Sequence, residues 1–159
     1  MSLTKETYQK AIQNEILSRN LYLFLARTTK NETIKEKFES LSKFEKVHEE
    51  KLTKIFKDNF KNEKLVVNRT KLPDIVVEKD SFQNIKDVLN FAIQQEKIMH
   101  DKYINMAKQT DDEELKEILE GLAAEEIDHK EVLSDEIVAL QGDYIWFDPS
   151  ELNGMMEDL

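Results

Sequence analysis

One pattern of acidic residues and histidine occurs twice in this sequence, with every member displaced by 81 residues. Each copy is a single glutamate followed, 30 residues later, by a Glu-x-x-His motif. The members are Glu15, Glu45 and His48 in the first copy, and Glu96, Glu126 and His129 in the second. At the same displacement, 17 of the 46 positions in windows 5–29 and 32–52 are identical, whereas composition alone would give roughly three or four. The chain is therefore predicted to contain two copies of one structural unit.

The composition predicts long helices and excludes several kinds of site. The 159 residues include only three glycines and two prolines, and 35% of them are charged. There is no cysteine, which excludes disulfides, zinc–thiolate sites and iron–sulfur clusters in these residues. A net charge of −10 argues against a nucleic-acid partner. No apolar run is long enough to span a membrane, so we expect a soluble, cytoplasmic protein.

Apolar side chains recur at helical spacing in four segments, at about 4–29, 32–57, 82–109 and 112–140. Asp111 or Asp112 is predicted to cap the last of them. A short connection joins the first segment to the second, and another joins the third to the fourth, so each of these pairs is predicted to form an antiparallel hairpin. Residues 58–80 contain β-branched runs and are predicted to form an extended crossover between the hairpins. The predicted fold is all-α, a four-helix bundle over residues 1–142, with an aromatic tail at 143–159 that packs on the bundle or on a partner subunit.

The repeated acids and histidines are predicted to bind metal. Residues i and i+3 lie on one face of a helix, so each Glu-x-x-His motif directs a carboxylate and an imidazole to one point. Glu15 and Glu96 lie in the middle of stripes that otherwise consist of core residues. Four buried carboxylates would repel one another without cations. Two divalent ions remove this repulsion, and the mixed oxygen and imidazole ligands suit iron or manganese, with zinc as a further possibility.

Tyr22 and Tyr103 follow Glu15 and Glu96 by seven residues. This spacing predicts that each tyrosine hydroxyl bonds a metal-binding carboxylate, although a core tyrosine with some other partner has the same pattern.

Other polar residues near the motif have simpler interpretations. His100 is predicted to face solvent, because Lys97, Asp101 and Lys102 surround it. Glu49 and Glu125 adjoin the two motifs and are predicted to form salt bridges with lysines, with support of a neighbouring ligand as the alternative for Glu125.

Over residues 4–140, the sequence resembles the rubrerythrin branch of the ferritin-like superfamily. The matching segments are Ala11-Ile12-x-x-Glu15 with Tyr22, Glu45-x-x-His48, Ala92-Ile93-x-x-Glu96 with Tyr103, and Glu126-x-x-His129. The resemblance implies a ferritin-like bundle with two iron ions that react with hydrogen peroxide or dioxygen, in defence against oxidative stress. It also implies a head-to-head homodimer.

The sequence departs from the rubrerythrin pattern in two respects. Full-length rubrerythrins carry a rubredoxin domain with four iron-binding cysteines. This chain has no cysteine, so its electrons are expected to come from a separate donor protein. Rubrerythrins also have an extra glutamate three residues after the third-helix ligand. Here that residue is Met99, which lacks the carboxylate that supports iron movement in the family.

Two other functions are compatible with the same sequence. A ferritin-like protein that oxidises and stores iron would use the same ligands. A helical domain without metal would instead hold the polar residues as a neutralised network.

Overall fold

The computed structural model describes residues 3–29, 32–73 and 85–142. Within these ranges it contains four helices, α1 (Lys5–Thr28), α2 (Glu32–Asn59), α3 (Ile85–Lys108) and α4 (Glu113–Gly142). All four predicted helices are present, and their described ends lie close to those expected. The predicted start of the third helix, at about 82, lies outside the described residues. The Asp112 carboxylate accepts hydrogen bonds from the backbone N–H groups of Glu114 and Leu115, at 3.0 and 3.2 Å, and so caps α4 as predicted.

The helices form two hairpins. α1 packs along α2, and α3 packs along α4. The backbones of α2 and α4 stay further apart than those within each hairpin. A groove therefore separates α2 from α4, and side chains rather than close backbone packing bridge it. The predicted all-α four-helix bundle is confirmed.

Two apolar clusters fill the described core, one on each side of the repeated acids and histidines. The upper cluster consists of Leu21, Tyr22, Leu25, Ala26, Ile34, Phe38, Leu41, Leu89, Ala92, Ile93 and Leu133. The lower cluster consists of Leu3, Tyr8, Ala11, Ile12, Ile16, Leu52, Phe56, Met99, Tyr103, Met106, Ala107, Leu119, Leu122 and Ala123. Along α2, α3 and α4, the polar positions lie between the residues of the two clusters. Along α1, Glu15 comes directly before Ile16, the last residue that this helix gives to the lower cluster. A buried polar layer thus crosses the bundle between two apolar layers.

The described part of the crossover, after α2, has no helix or strand and runs beside α1. Gln13 holds Asn68 at both backbone groups: the Gln13 amide donates to the Asn68 carbonyl at 2.9 Å and accepts from the Asn68 N–H at 2.7 Å. Asn20 donates to the carbonyls of Arg69 and Lys71, at 3.0 and 2.9 Å. Side chains of α1 therefore provide hydrogen bonds that an extended segment cannot form within itself.

Glu49 of α2 links the crossover to the hairpin of α1 and α2. This carboxylate is buried, and the guanidinium groups of Arg19 in α1 and Arg69 in the crossover both donate to it. Its partners are arginines rather than the predicted lysines. Planar guanidinium groups suit a buried carboxylate, because they bring several donors in a fixed geometry.

None of the described helices is long and apolar enough to cross a membrane. The predicted aromatic tail at 143–159 lies outside the described residues.

Candidate metal centre

The four helices bring all six predicted metal-binding side chains into one buried cluster. α1 supplies Glu15 and α3 supplies Glu96. α2 and α4 each supply a glutamate and, one turn later, a histidine. The exposed fraction of these residues is at most 5%. The full set is Glu15, Glu45, His48, Glu96, Glu126 and His129. Because the repeat gives each hairpin the same three side chains, packing the hairpins together places both sets in the polar layer.

The cluster divides into two overlapping groups of four possible ligands. In each group, one nitrogen or oxygen atom per residue lies within 4.8 Å of all the others. The first group contains Glu15 and His48, and the second contains Glu96 and His129. Glu45 and Glu126 belong to both groups. This sharing places these two carboxylates where they can bridge two cations, with one further carboxylate and one histidine for each cation.

The hydrogen bonding of the cluster also fits bound cations. Each of the four carboxylates has one buried oxygen without a hydrogen-bond partner. Nδ1 of His48 is also buried and has no hydrogen-bond partner. Nδ1 of His48 lies 2.9 Å from an oxygen of Glu126, but without hydrogen-bond geometry. Buried polar atoms in folded proteins are nearly always paired. Five unpaired atoms around one point are a set of ligands that could hold cations, and oxygen with imidazole suits iron, manganese or zinc.

The charges of the cluster oppose one another when no metal is bound. Burial, together with the charges of Glu15 and Glu96, raises the pKa of Glu45 well above its ordinary range. Burial, together with Glu15 and Glu45, does the same to the pKa of Glu126. Burial alone would raise the pKa of Glu96, but contacts with Glu126 and His129 outweigh it and lower that pKa. The metal-free cluster therefore retains protons on some carboxylates.

His48 also favours its protonated form in the metal-free protein. Burial by itself lowers the pKa of this imidazole, but contacts with Glu126, Glu15 and Glu45 outweigh burial and raise the pKa above its ordinary value. A cation that binds Nδ1 must displace this proton. Metal binding at the cluster is therefore expected to release protons.

These shifts predict that pH acts in opposite directions on the metal-free and metal-bound protein. The raised pKa values of Glu45, Glu126 and His48 stabilise the metal-free fold at low pH, and this stability is lost as the pH rises through the raised values. The lowered pKa of Glu96 has the opposite effect on the stability of the metal-free fold. Its stabilising contribution is present at neutral pH and is lost only as the pH falls into the acidic range. Between about pH 6 and pH 9 we expect the Tm of metal-free protein to fall and metal affinity to rise.

Thermal unfolding at both pH values, with and without metal, tests this prediction. A Tm of the metal-free protein that rises with pH would contradict it.

Two tyrosines contact the carboxylates crosswise. The Tyr22 hydroxyl of α1 donates to Glu96 of α3, at 2.5 Å, and the Tyr103 hydroxyl of α3 donates to Glu15 of α1. Each tyrosine thus bonds the glutamate of the other repeat, not the one that precedes it in sequence. Burial and these carboxylates raise the pKa of both tyrosines well above the ordinary value, so both hydroxyls remain donors.

The two histidines lie side by side but have different neighbours on their outer edges. Their rings are stacked, with centroids 5.7 Å apart. Nδ1 of each ring faces the carboxylates, and Nδ1 of His129 lies 3.0 Å from an oxygen of Glu45. Nε2 of His48 contacts the Glu125 carboxylate, whereas the His129 ring lies against Phe44 with centroids 5.3 Å apart. The alternative prediction for Glu125, support of a neighbouring ligand, thus agrees with the structure.

Two further residues lie outside the cluster. His100 is half-buried rather than solvent-facing, because its Nδ1 donates to the carbonyl of Ala123 in α4, at 3.0 Å. Helical spacing within α3 gives no sign of this contact, which depends on how α3 meets α4. Met99 is buried in the lower apolar cluster.

Known proteins match both the sequence and the fold. Residues 6–137 match the Rubrerythrin family. A solved structure of a hypothetical protein from Pyrococcus furiosus is similar, with 27% sequence identity, a TM-score of 0.73, and coverage of 86% of this chain and 89% of the other. No curated protein matches the chain. Since the family match spans most of the sequence and includes all six clustered residues, the chain belongs to the rubrerythrin family.

Proposed function

We propose that this protein is a non-haem di-iron oxidoreductase that reduces hydrogen peroxide, as part of defence against oxidative stress. The observation that carries the proposal is the pair of ligand groups that share Glu45 and Glu126. A site built for two adjacent cations suits a two-electron reaction, because each ion changes its charge by one. Membership of the rubrerythrin family supports iron as the metal and peroxide as the oxidant, with dioxygen as the alternative oxidant.

In this proposal one iron is held by Glu15 and His48, the other by Glu96 and His129, and both by the shared carboxylates. When bound, two ferrous ions supply the two electrons that cleave the oxygen–oxygen bond. Reduction of one hydrogen peroxide to two waters also consumes two protons. Electrons to restore the ferrous state come from a separate donor protein, since these 159 residues have no cysteine for an iron–thiolate centre.

The surrounding residues orient the ligands and limit access of water. Tyr22 and Tyr103 each hold one carboxylate oxygen by a hydrogen bond, which leaves the other oxygen directed into the cluster. The apolar clusters above and below the polar layer keep water away from those two sides of it. Charges in such a buried site interact more strongly than in water.

Stopped-flow mixing tests the proposed reaction. Protein loaded anaerobically with ferrous ion is mixed with hydrogen peroxide, and we expect oxidation faster than that of free ferrous ion under the same conditions. Glu126→Ala protein is the control, because it lacks one of the shared carboxylates. Oxidation of the wild-type protein no faster than that of free ferrous ion would contradict the proposal.

The proposal includes a homodimer in the cytoplasm. The mass from size-exclusion chromatography tests the assembly, because a large closed shell would favour iron storage instead.

A further inference from the structure

The 81-residue repeat makes one difference between the two halves of the metal centre conspicuous. His48 and His129 are repeat counterparts. The same displacement pairs Phe44 with Glu125, so the residue before each motif glutamate is aromatic in one copy and acidic in the other. Each of these residues contacts the histidine of the opposite hairpin. One histidine therefore has a carboxylate at its outer edge, and its counterpart has a benzene ring.

The contact with Glu125 has a defined effect on His48. The contact joins Nε2 of His48 to a carboxylate oxygen, which is a hydrogen-bond acceptor, so Nε2 is the donor in this contact. This arrangement leaves Nδ1 as the metal-binding nitrogen and makes the imidazole a stronger ligand. Phe44 has no acceptor atom to offer His129. Among the described contacts, the hydrogen bonds and ion pairs of His129 all involve its Nδ1.

The groove between α2 and α4 also differs at the two histidines. A cavity of about 540 Å³ has His129, Phe44 and Glu125 in its wall. A smaller cavity of about 310 Å³ lies further along the groove. Some of its lining residues are the repeat counterparts of residues that line the larger cavity. For example, Gly121 lines the smaller cavity and its counterpart Ser40 lines the larger one. Glu125 lines this cavity too, but His48 does not. Glu125 thus covers His48, whereas His129 is reached from the larger cavity.

We propose that Glu125 is a positioning residue that makes the two metal positions unequal. The ion at His48 is held tightly, and the ion at His129 exchanges more readily and is the one that small molecules approach from the larger cavity. This inference rests on the two-metal centre of the proposed function. It adds a division of roles that the repeated ligand pattern alone would not predict.

Metal release tests the inference without any catalytic turnover. Protein loaded anaerobically with two ferrous ions is mixed with excess of a chelator that absorbs visible light when it binds ferrous ion. We expect two phases of equal amplitude from the wild-type protein. In Glu125→Leu protein the slow phase becomes about 10- to 100-fold faster, because loss of such a supporting residue usually weakens metal affinity by that factor. In Phe44→Glu protein the fast phase becomes slower, because His129 gains the missing carboxylate.

Three further measurements separate positioning from a general structural effect. Glu125→Gln should keep much of the slow phase, because its amide oxygen still accepts from Nε2. Glu131→Leu, at an exposed position of the same helix, should leave both phases unchanged. Mössbauer spectra of protein loaded with ⁵⁷Fe should show two ferrous doublets for the wild-type protein and should change for Glu125→Leu.

The outcomes also distinguish this inference from the proposed function. If wild-type protein releases both ions in one phase, or if Glu125→Leu leaves both phases unchanged, the inference is wrong while the peroxide reaction can still stand. Failure of the wild-type protein to retain two ions would overturn both.

Discussion

Replacement of Glu126 by alanine is expected to abolish binding of both metal ions, whereas replacement of Glu15 is expected to abolish binding of one. Glu126 belongs to both ligand groups, and Glu15 belongs only to the group that contains His48. We expect about two iron ions per chain in the wild-type protein, about one in Glu15→Ala and almost none in Glu126→Ala. Elemental analysis of anaerobically prepared protein measures all three values.

The repeat provides matched variants for this experiment. Glu45→Ala should behave like Glu126→Ala, and Glu96→Ala should behave like Glu15→Ala, because the members of each pair occupy equivalent places in the two groups. Circular dichroism of each variant checks that the helices remain. Equal metal loss in all four variants would contradict the assignment of shared and unshared ligands.

The second large effect is expected from the upper apolar cluster. Phe38→Ala should lower the free energy of unfolding of the metal-free protein by about 3–5 kcal/mol, since it removes a buried ring and leaves a cavity. The Phe38 side chain is 1% exposed and stacks on Tyr22, with ring centroids 6.4 Å apart. Such a loss is a large part of the roughly 5–15 kcal/mol that stabilises an ordinary domain. Chemical denaturation followed by circular dichroism measures it.

Phe44→Ala is the control for this prediction, because it is the same substitution on the same helix at a residue that is 53% exposed. Phe44→Ala should lower the free energy of unfolding by less than about 1 kcal/mol. A similar cost for the two variants would show that burial of Phe38 in the upper cluster does not account for its contribution.

The repeat explains how much of the fold and site could be predicted from sequence. Helical spacing gave the four helices, and the i, i+3 geometry placed His48 beside Glu45 and His129 beside Glu126 without knowledge of the packing. Once both copies were seen as one unit, a shared polar layer followed. Periodicity within each helix, together with the 81-residue repeat, was enough for these conclusions.

Features that depend on contacts between helices could not be obtained in this way. The bond from Tyr22 to Glu96 requires the relative height of α1 and α3, which spacing along α1 does not contain. The half-buried position of His100 depends on α4, because the flanking lysines and aspartate suggested only an exposed face. The buried contacts of Glu49 with Arg19 and Arg69 depend on where the crossover runs.

The crossed tyrosine bonds have a consequence for the origin of the chain. Tyr22 of the first hairpin supports the glutamate of the second, and Tyr103 of the second supports that of the first. Each half of the centre therefore takes side chains from both hairpins, and the same is true of the shared glutamates. If the chain arose by duplication of a gene for a single hairpin, that ancestor would have built the same centre only as a pair of identical molecules, with each lending its tyrosine to the other.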